Sequence, residues 1–290
     1  MVTPGSERPL DPMVLRPRRQ IRVSVAIGAT ILLLWVIVAL FGHWLAPYSE
    51  ADFVSETNFD PSTREFLLGT DYIGRDILSR LISGAATTLG MGLVATLLSH
   101  ALGVSLGFLA ALRGGLVDTI MCRINDALLS FPHMMMGLVV IAALGSSVPV
   151  LIVTSGVVYA SAVFRIARAL AMDLKVMEFV EVAQARGEST LWILRYEILP
   201  NAWLPLLTDF AIRLSFIILF MSGLSFLGLG IQPPAADWGS MVRENMEGLR
   251  SGSLAPIIPA ASIASITVAL NLLVDELSLR SGRNAAGGGG

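Results

Sequence analysis

The strongest constraint on this chain is a series of long stretches without a single Asp, Glu, Lys or Arg. Residues 23–49 and 81–112 are two of them. About 20 apolar residues cross the hydrocarbon of a bilayer as a helix, so each stretch is a span. Residues 127–164 are uncharged too, and too long for one crossing. The run Gly145-Ser-Ser-Val-Pro149 breaks them by a tight turn into a third and a fourth span. Residues 214–236 are the uncharged part of a fifth span, which starts near Asn201, and residues 251–274 make a sixth. A lone strand would leave its backbone groups unsatisfied in lipid, so all six read as helices. The expected fold class is an all-α membrane protein with six transmembrane helices.

Composition agrees and removes other classes. The chain is 54% hydrophobic and 14% charged, against about a quarter charged in soluble domains. A net charge of −2 argues against a nucleic-acid partner. One cysteine, Cys122, excludes an internal disulfide framework. His43, His100 and His133 have no metal-ligand spacing, so no metal site is expected. The first apolar run is too long for a signal-peptide core and lacks a small-residue cleavage site, and is therefore read as an uncleaved span. The terminal Ala-Ala-Gly-Gly-Gly-Gly is set aside as a flexible end.

Orientation follows the Lys/Arg bias. Fourteen of the twenty basic residues fall on the side shared by the two termini and five on the other, with Arg213 inside a span. Both termini are thus expected in the cytoplasm. The division is 1–22 as a cytoplasmic N-terminal segment, 23–48 as the first transmembrane helix and 49–80 as an extracytoplasmic loop. Residues 81–277 form the core, with a charged loop at 178–200, and 278–290 form a cytoplasmic tail. Residues 46–80 are acidic, with seven carboxylates against three arginines. They end in a helix on which Ile77, Leu78, Leu81 and Ile82 share a face and Asp76 and Arg80 form an i,i+4 pair. In the second outer segment, 233–252, Trp238, Met241, Val242, Met246 and Leu249 would line one face of a helix on the membrane surface. It is either a connector or a docking element.

The charged loop Glu178-Phe-Val-Glu-Val-Ala-Gln-Ala-Arg-Gly187 suits a short helix, with acids early and alanines late. Gly187 is placed to end it in a left-handed turn. A second helix starts near Ser189, and Pro200 marks a break or the start of the fifth span. Such a loop either folds back on its own spans or carries a docking helix.

The segment 181–200 resembles the EAA motif of ABC-importer permeases. Glu181, Ala183, Gly187, Leu199 and Pro200 stand at matching positions, while Val182 replaces the middle alanine and Glu197 an apolar residue. Residues 68–85, 113–132, 224–241 and 270–277 are similar, in order, to blocks of the dipeptide/oligopeptide/nickel permease family, although Val274 stands where a glycine is usual and the Asp-Pro-Arg ending is absent. The resemblance covers about residues 15 to 280. It implies an ABC type I importer permease fold in a bacterial inner membrane, with a cytoplasmic coupling helix bearing Glu178, Glu181, Ala183 and Gly187 and followed by Leu199 and Pro200. The implied partners are a second homologous permease, two ABC ATPase subunits and an extracytoplasmic substrate-binding protein. No G-x-x-x-x-G-K-[ST] occurs, so the chain itself is not expected to hydrolyse ATP. ATP and Mg belong to the ATPase subunits, and no cofactor is expected here. The implied cargo is peptides, with nickel or another small solute as the alternative.

Other residues are weighed on their own. Arg123 and Asp126, with Asp118 nearby, read as an interfacial ion pair or gate. Asp209 and Arg213 are i,i+4 inside the fifth span, where charges are costly and face protein or water. Asp71, Arg75 and Asp76 on the first loop, with Trp238 and Met241, are candidates for docking the binding protein. His100 is read as a packing histidine. Gly103-x-x-x-Gly107 permits close helix approach, within the chain or against the partner permease. Met134, Met135 and Met136 read as adaptable packing. A secondary transporter would need several ionisable groups at the midplane, where His100 is the one deep candidate. A membrane enzyme would need a catalytic constellation that the sequence lacks.

Overall fold

The computed structural model describes residues 18–287, with side-chain surroundings from 23 to 276; residues 1–17 and 288–290 of the expected terminal segments lie outside it. The described residues form helices α1 Arg18–Leu45, α2 Ile77–Arg113, α3 Gly115–Leu129, α4 His133–Leu144, α5 Val148–Leu174 and α6 Glu178–Ala185. There follow α7 Thr190–Ile193, α8 Leu199–Leu224, α9 Trp238–Glu244 and α10 Ile257–Gly287. Five are long and apolar enough to cross a membrane, or six if the bent pair α3–α4 is one broken span. Gly145, at φ +87, turns the chain between α4 and α5 where the sequence placed the break.

Three boundaries differ from the sequence reading. The third span is not straight: α3 and α4 meet at 84° across Ser130–Pro132. Pro132 has no N–H to continue the ladder and its ring pushes the preceding residue out of helical conformation. The fifth span starts at Thr190, not near Asn201, and Pro200 does not interrupt it. A π-turn, Leu194–Ile198, precedes the proline and joins α7 to α8, so the missing N–H falls in the first turn of α8, where it costs least. The sixth span begins at Ile257, and its helix continues through much of the expected tail.

α2 and α5 are the most extensively packed helices, and the Gly103/Gly107 pair explains how. A Cβ on Gly103 would lie 2.6 Å from Val163 Cβ and 2.8 Å from the Ala160 carbonyl; one on Gly107 would lie 2.7 Å from the Phe164 carbonyl. These glycines therefore serve packing within the chain. Gly103→Leu is expected to destabilise the detergent-solubilised protein by about 2–4 kcal/mol, because the obstacle is backbone and cannot yield. Gly90→Ala, whose added Cβ meets nothing within 4 Å, should be neutral or slightly stabilising by the same denaturation measurement.

The expected surface helix at 238–249 is instead a buried one. α9 spans seven residues, and Trp238 and Met241 are 0% and 1% exposed. Asp237 caps it, accepting hydrogen bonds from the Gly239 and Ser240 amides at 3.0 and 3.2 Å. Burial pushes the Asp237 carboxyl up, against the pull of those bonds. Trp238 Nε1 donates to the Leu81 carbonyl at 3.0 Å, and its ring stands edge-on to Trp35. Met246 and Leu249 fall on the following 3₁₀ turn and are exposed. The spacing is amphipathic, but the apolar face packs on α1, α2 and α10 residues of the same chain rather than on lipid.

Candidate functional site

At one end of the bundle, α6 lies against the ends of α2 and α5. Val180 and Ala183 are buried with Phe108, Ala167, Ala171 and Ile198. Lys175 Nζ donates to the Ala111 carbonyl at 3.1 Å, tying the approach to α6 onto α2. Gly187, at φ +82, closes the helix as expected. Its amide donates to the Gln184 carbonyl at 2.9 Å and the Glu188 amide to the Ala183 carbonyl at 3.1 Å, the paired bonds of a Schellman motif. The Ser189 hydroxyl then caps α7 by accepting from the Trp192 amide.

This leaves a mixed surface facing outward. Glu178, Glu181 and Gly187 are exposed, as are Leu199 and Pro200, while Ala183 packs inward. Val176, Met177, Val182 and Leu191 are exposed large hydrophobics beside them. Val182, the departure from the motif, thus enlarges the outward apolar face and does not disturb the packing beneath. Glu197 is half-buried, and its backbone carbonyl accepts from the Asn201 side chain.

Near the same end, Arg123 and Asp126 are exposed, and among the described residues no ion pair joins them. The expected pair is replaced by Arg168 and Asp118, bonded through both carboxylate oxygens at 2.5 and 2.6 Å. Two planar groups across α3 and α5 meet side-on, which a neighbouring pair on one short helix does not achieve.

Deeper, the Asp209–Arg213 pair forms as expected, with Arg213 Nε donating to Asp209 Oδ1 at 3.0 Å. His100 of α2 joins it, with Nε2 at 3.3 Å from Asp209 Oδ2. The histidine is thus part of an intramembrane polar trio, packed on the Phe210 ring.

At the opposite end, the five residues expected to dock a binding protein are all buried, between 0% and 3% exposed. In this structure they hold the loop to the bundle and present no side chain to an outside protein. Arg75 Nε donates to Asp71 Oδ2 at 2.7 Å and its Nη2 to Glu244 Oε2 at 3.0 Å. Arg80 Nη2 donates to the same Glu244 oxygen at 3.0 Å, and its Nη1 is 3.4 Å from Asp71 Oδ2. Asp76 does not pair with Arg80; it caps α2, accepting from the Ser79 amide at 2.8 Å. Glu244 was not singled out in the sequence, and burial pushes its carboxyl up while Arg75 pulls it down.

Residues 103–280 match the family described as the binding-protein-dependent transport system inner membrane component. A putative peptide transport system permease protein of Brucella suis biovar 1 is 34% identical over 268 residues, 92% of this chain and 90% of that protein. The glutathione transport system permease protein GsiD of Pectobacterium atrosepticum is 33% identical over 263 residues, 90% and 87% of the two. Among solved structures, a chain of the inward-facing MetNI methionine ABC transporter superposes with TM-score 0.54 at 17% identity, over 69% of this chain and 97% of that one. A chain of an amino acid ABC transporter solved with histidines gives TM-score 0.50 at 18% identity, over 70% and 94%. The fold is that of ABC-importer permeases. The chain belongs to the family of inner-membrane components of binding-protein-dependent transport systems, and is a transport subunit.

Proposed function

We propose that this chain is one of two permeases in an ATP-driven importer of peptides. The observation that carries the reading is α6: a docked helix with an outward face of carboxylates and apolar side chains, closed by Gly187 where the EAA motif has its glycine. The similarity to permeases named for peptide and glutathione transport supports the cargo. In this reading the α6 end and both termini face the cytoplasm, where two ATPase subunits bind ATP and Mg. The loop 46–76 and α9 face outward, where a binding protein delivers solute to a path shared with a second, homologous permease. Exposed ion pairs contribute only about 0–1 kcal/mol each, so docking rests on Val182, Met177 and Leu191, with Glu178 and Glu181 setting register. The test is uptake of radiolabelled tripeptide and glutathione in cells with the chain deleted and restored. Restored uptake of either supports the reading; ATP-independent uptake driven by an ion gradient would overturn it. Glu181→Ala is expected to lower the uptake rate by about 2–5-fold at unchanged membrane level, the modest effect of one exposed charge.

A further inference from the structure

We propose that this chain holds an aminophospholipid of the surrounding bilayer, of the phosphatidylethanolamine type, in a slot between α2, α3 and α5. The inference does not depend on the choice of cargo. Two adjoining cavities define the slot. The first is an apolar groove of about 280 Å³. Its walls are apolar side chains, Leu106, Ile124 and Val157 among them, apart from Asn125 and Ser161. Those three are large exposed hydrophobics, so the groove opens sideways to whatever surrounds the bundle. The Ser161 hydroxyl is turned back onto the Val158 carbonyl at 2.7 Å and offers nothing to an occupant. Such a lining suits part of one acyl chain.

The second is a polar cavity of about 230 Å³, lined by Cys122, Asn125, Asp126, Phe164, Arg165 and Arg168. Asn125 and Phe164 belong to both, so the two share a wall. On α5 the groove takes residues from Val157 to Phe164 and the cavity those from Phe164 to Arg168. The polar cavity is therefore nearer the α6 end of the bundle, and the groove runs toward the middle of the span. That is the order of head and tail in a phospholipid lying in one leaflet.

The charges select the head group. Arg168 is already taken, bonded to both oxygens of Asp118. Arg165 and Asp126 are not taken. Both are exposed, and among the described residues neither makes an ion pair or a side-chain hydrogen bond. One cation and one anion thus line the same cavity without meeting. A zwitterion satisfies both, with its phosphate on Arg165 and a primary ammonium on Asp126. A purely anionic head would set its charge against Asp126, and a quaternary ammonium has no N–H to donate to it.

The junction fits as well. Between its head and its tails a phospholipid carries ester carbonyls, which only accept. Between the two cavities the protein carries Asn125, 6% exposed, whose Nδ2 has no hydrogen-bond partner among the described residues. A buried donor without an acceptor is costly, and the amide turns easily about its last torsion. An ester oxygen in that place supplies the missing bond.

The experiment is native mass spectrometry of the full chain purified with its partner subunits. The complex is stripped of lipid in detergent and titrated with dioleoyl phosphatidylethanolamine, phosphatidylcholine or phosphatidylglycerol. Wild type is expected to bind the first about three- to fivefold tighter than the other two, the worth of one exposed ion pair. Asp126→Asn should erase the preference over phosphatidylcholine without weakening phosphatidylcholine itself. Arg165→Gln should weaken all three about three- to fivefold, because the phosphate is common to them. Arg123→Gln, at an exposed residue outside the cavity lining, should change nothing. All three replaced side chains are exposed, so the variants should fold. Photoreactive benzoylphenylalanine in place of Val157 should capture phospholipid in illuminated cells. Equal binding of the three lipids by wild type, or an Asp126→Asn variant that keeps the preference, overturns the inference. So does capture of another protein subunit at position 157, which would make the groove a subunit contact.

Discussion

Arg80→Met should loosen the loop end of the molecule by about 3–5 kcal/mol, the cost of leaving a buried charge without its partner. The Arg80 side chain is 1% exposed and lies between Asp71 and Glu244, whose side chains are 1% and 5% exposed. Two arginines and two carboxylates balance as they stand. Removing Arg80 leaves two negative groups against Arg75 alone, with no water to screen them. The loop would loosen from α9, because these charges and the hydrogen bond from the Tyr72 amide to Asn245 are its polar ties there, leaving Leu68 against the Trp238 and Met241 cluster. Arg75 itself supplies the readout: it is 2% exposed, so tryptic cleavage there requires the loop to open. Cleavage should be slow in wild type and fast in Arg80→Met. Adding Glu244→Gln restores neutrality, and the double variant should recover about 1–3 kcal/mol relative to the sum of the single ones. Strict additivity, or wild-type resistance in Arg80→Met, would show that the cluster does not hold the loop.

That cluster also marks where reading the sequence stops. Arg80 and Glu244 are 164 positions apart, and nothing local joins them. The i,i+4 rule paired Arg80 with Asp76 because both would lie on one helix face. In the structure Asp76 sits just outside α2, where a carboxylate serves as cap for the Ser79 amide, and Arg80 is released to a distant partner. Arg123 and Asp126 likewise stay apart, both exposed, while the ion pair near them joins Asp118 to Arg168 of another helix. The Asp209–Arg213 pair was legible because both residues lie inside one uninterrupted helix, where no cap or end competes.

Spans were legible because an uncharged run has few alternatives in lipid. Their packing partners were not. The spacing of Trp238, Met241 and Val242 describes an apolar face, and such a face suits a membrane surface and a protein interior equally. The deciding contact is the Leu81 carbonyl for the Trp238 indole, which only the assembled bundle supplies. The glycines behaved likewise. Gly187 was readable, since a left-handed turn is a local property. Gly103 and Gly107 announced close packing without naming the neighbour, which is α5.

Gly187→Val is expected to cut uptake at least about tenfold while leaving membrane insertion and capture of solute by the binding protein intact. The space around Gly187 is open, since an added Cβ meets nothing within 4 Å. The effect must therefore come from backbone conformation alone. At φ +82 a residue with a Cβ is strained by about 1–2 kcal/mol, and a β-branched one by more. The strain is relieved by unwinding the paired bonds from Gly187 and Glu188, which set the angle between α6 and α7. That angle aims the long helix beyond it. From Thr190 the chain runs helically through the π-turn and α8 to Leu224, and Asp209 and Arg213 lie near the middle of that run. In the proposed importer, a displacement of α6 by a docked partner would be passed to the intramembrane trio only through a stiff turn at Gly187. Gly187→Asn, which tolerates the left-handed region, should retain most of the transport. ATP hydrolysis by the assembled complex should persist in Gly187→Val while uptake is lost, the signature of a broken joint. Uptake at the wild-type rate, at equal membrane level, would show that the turn carries no motion.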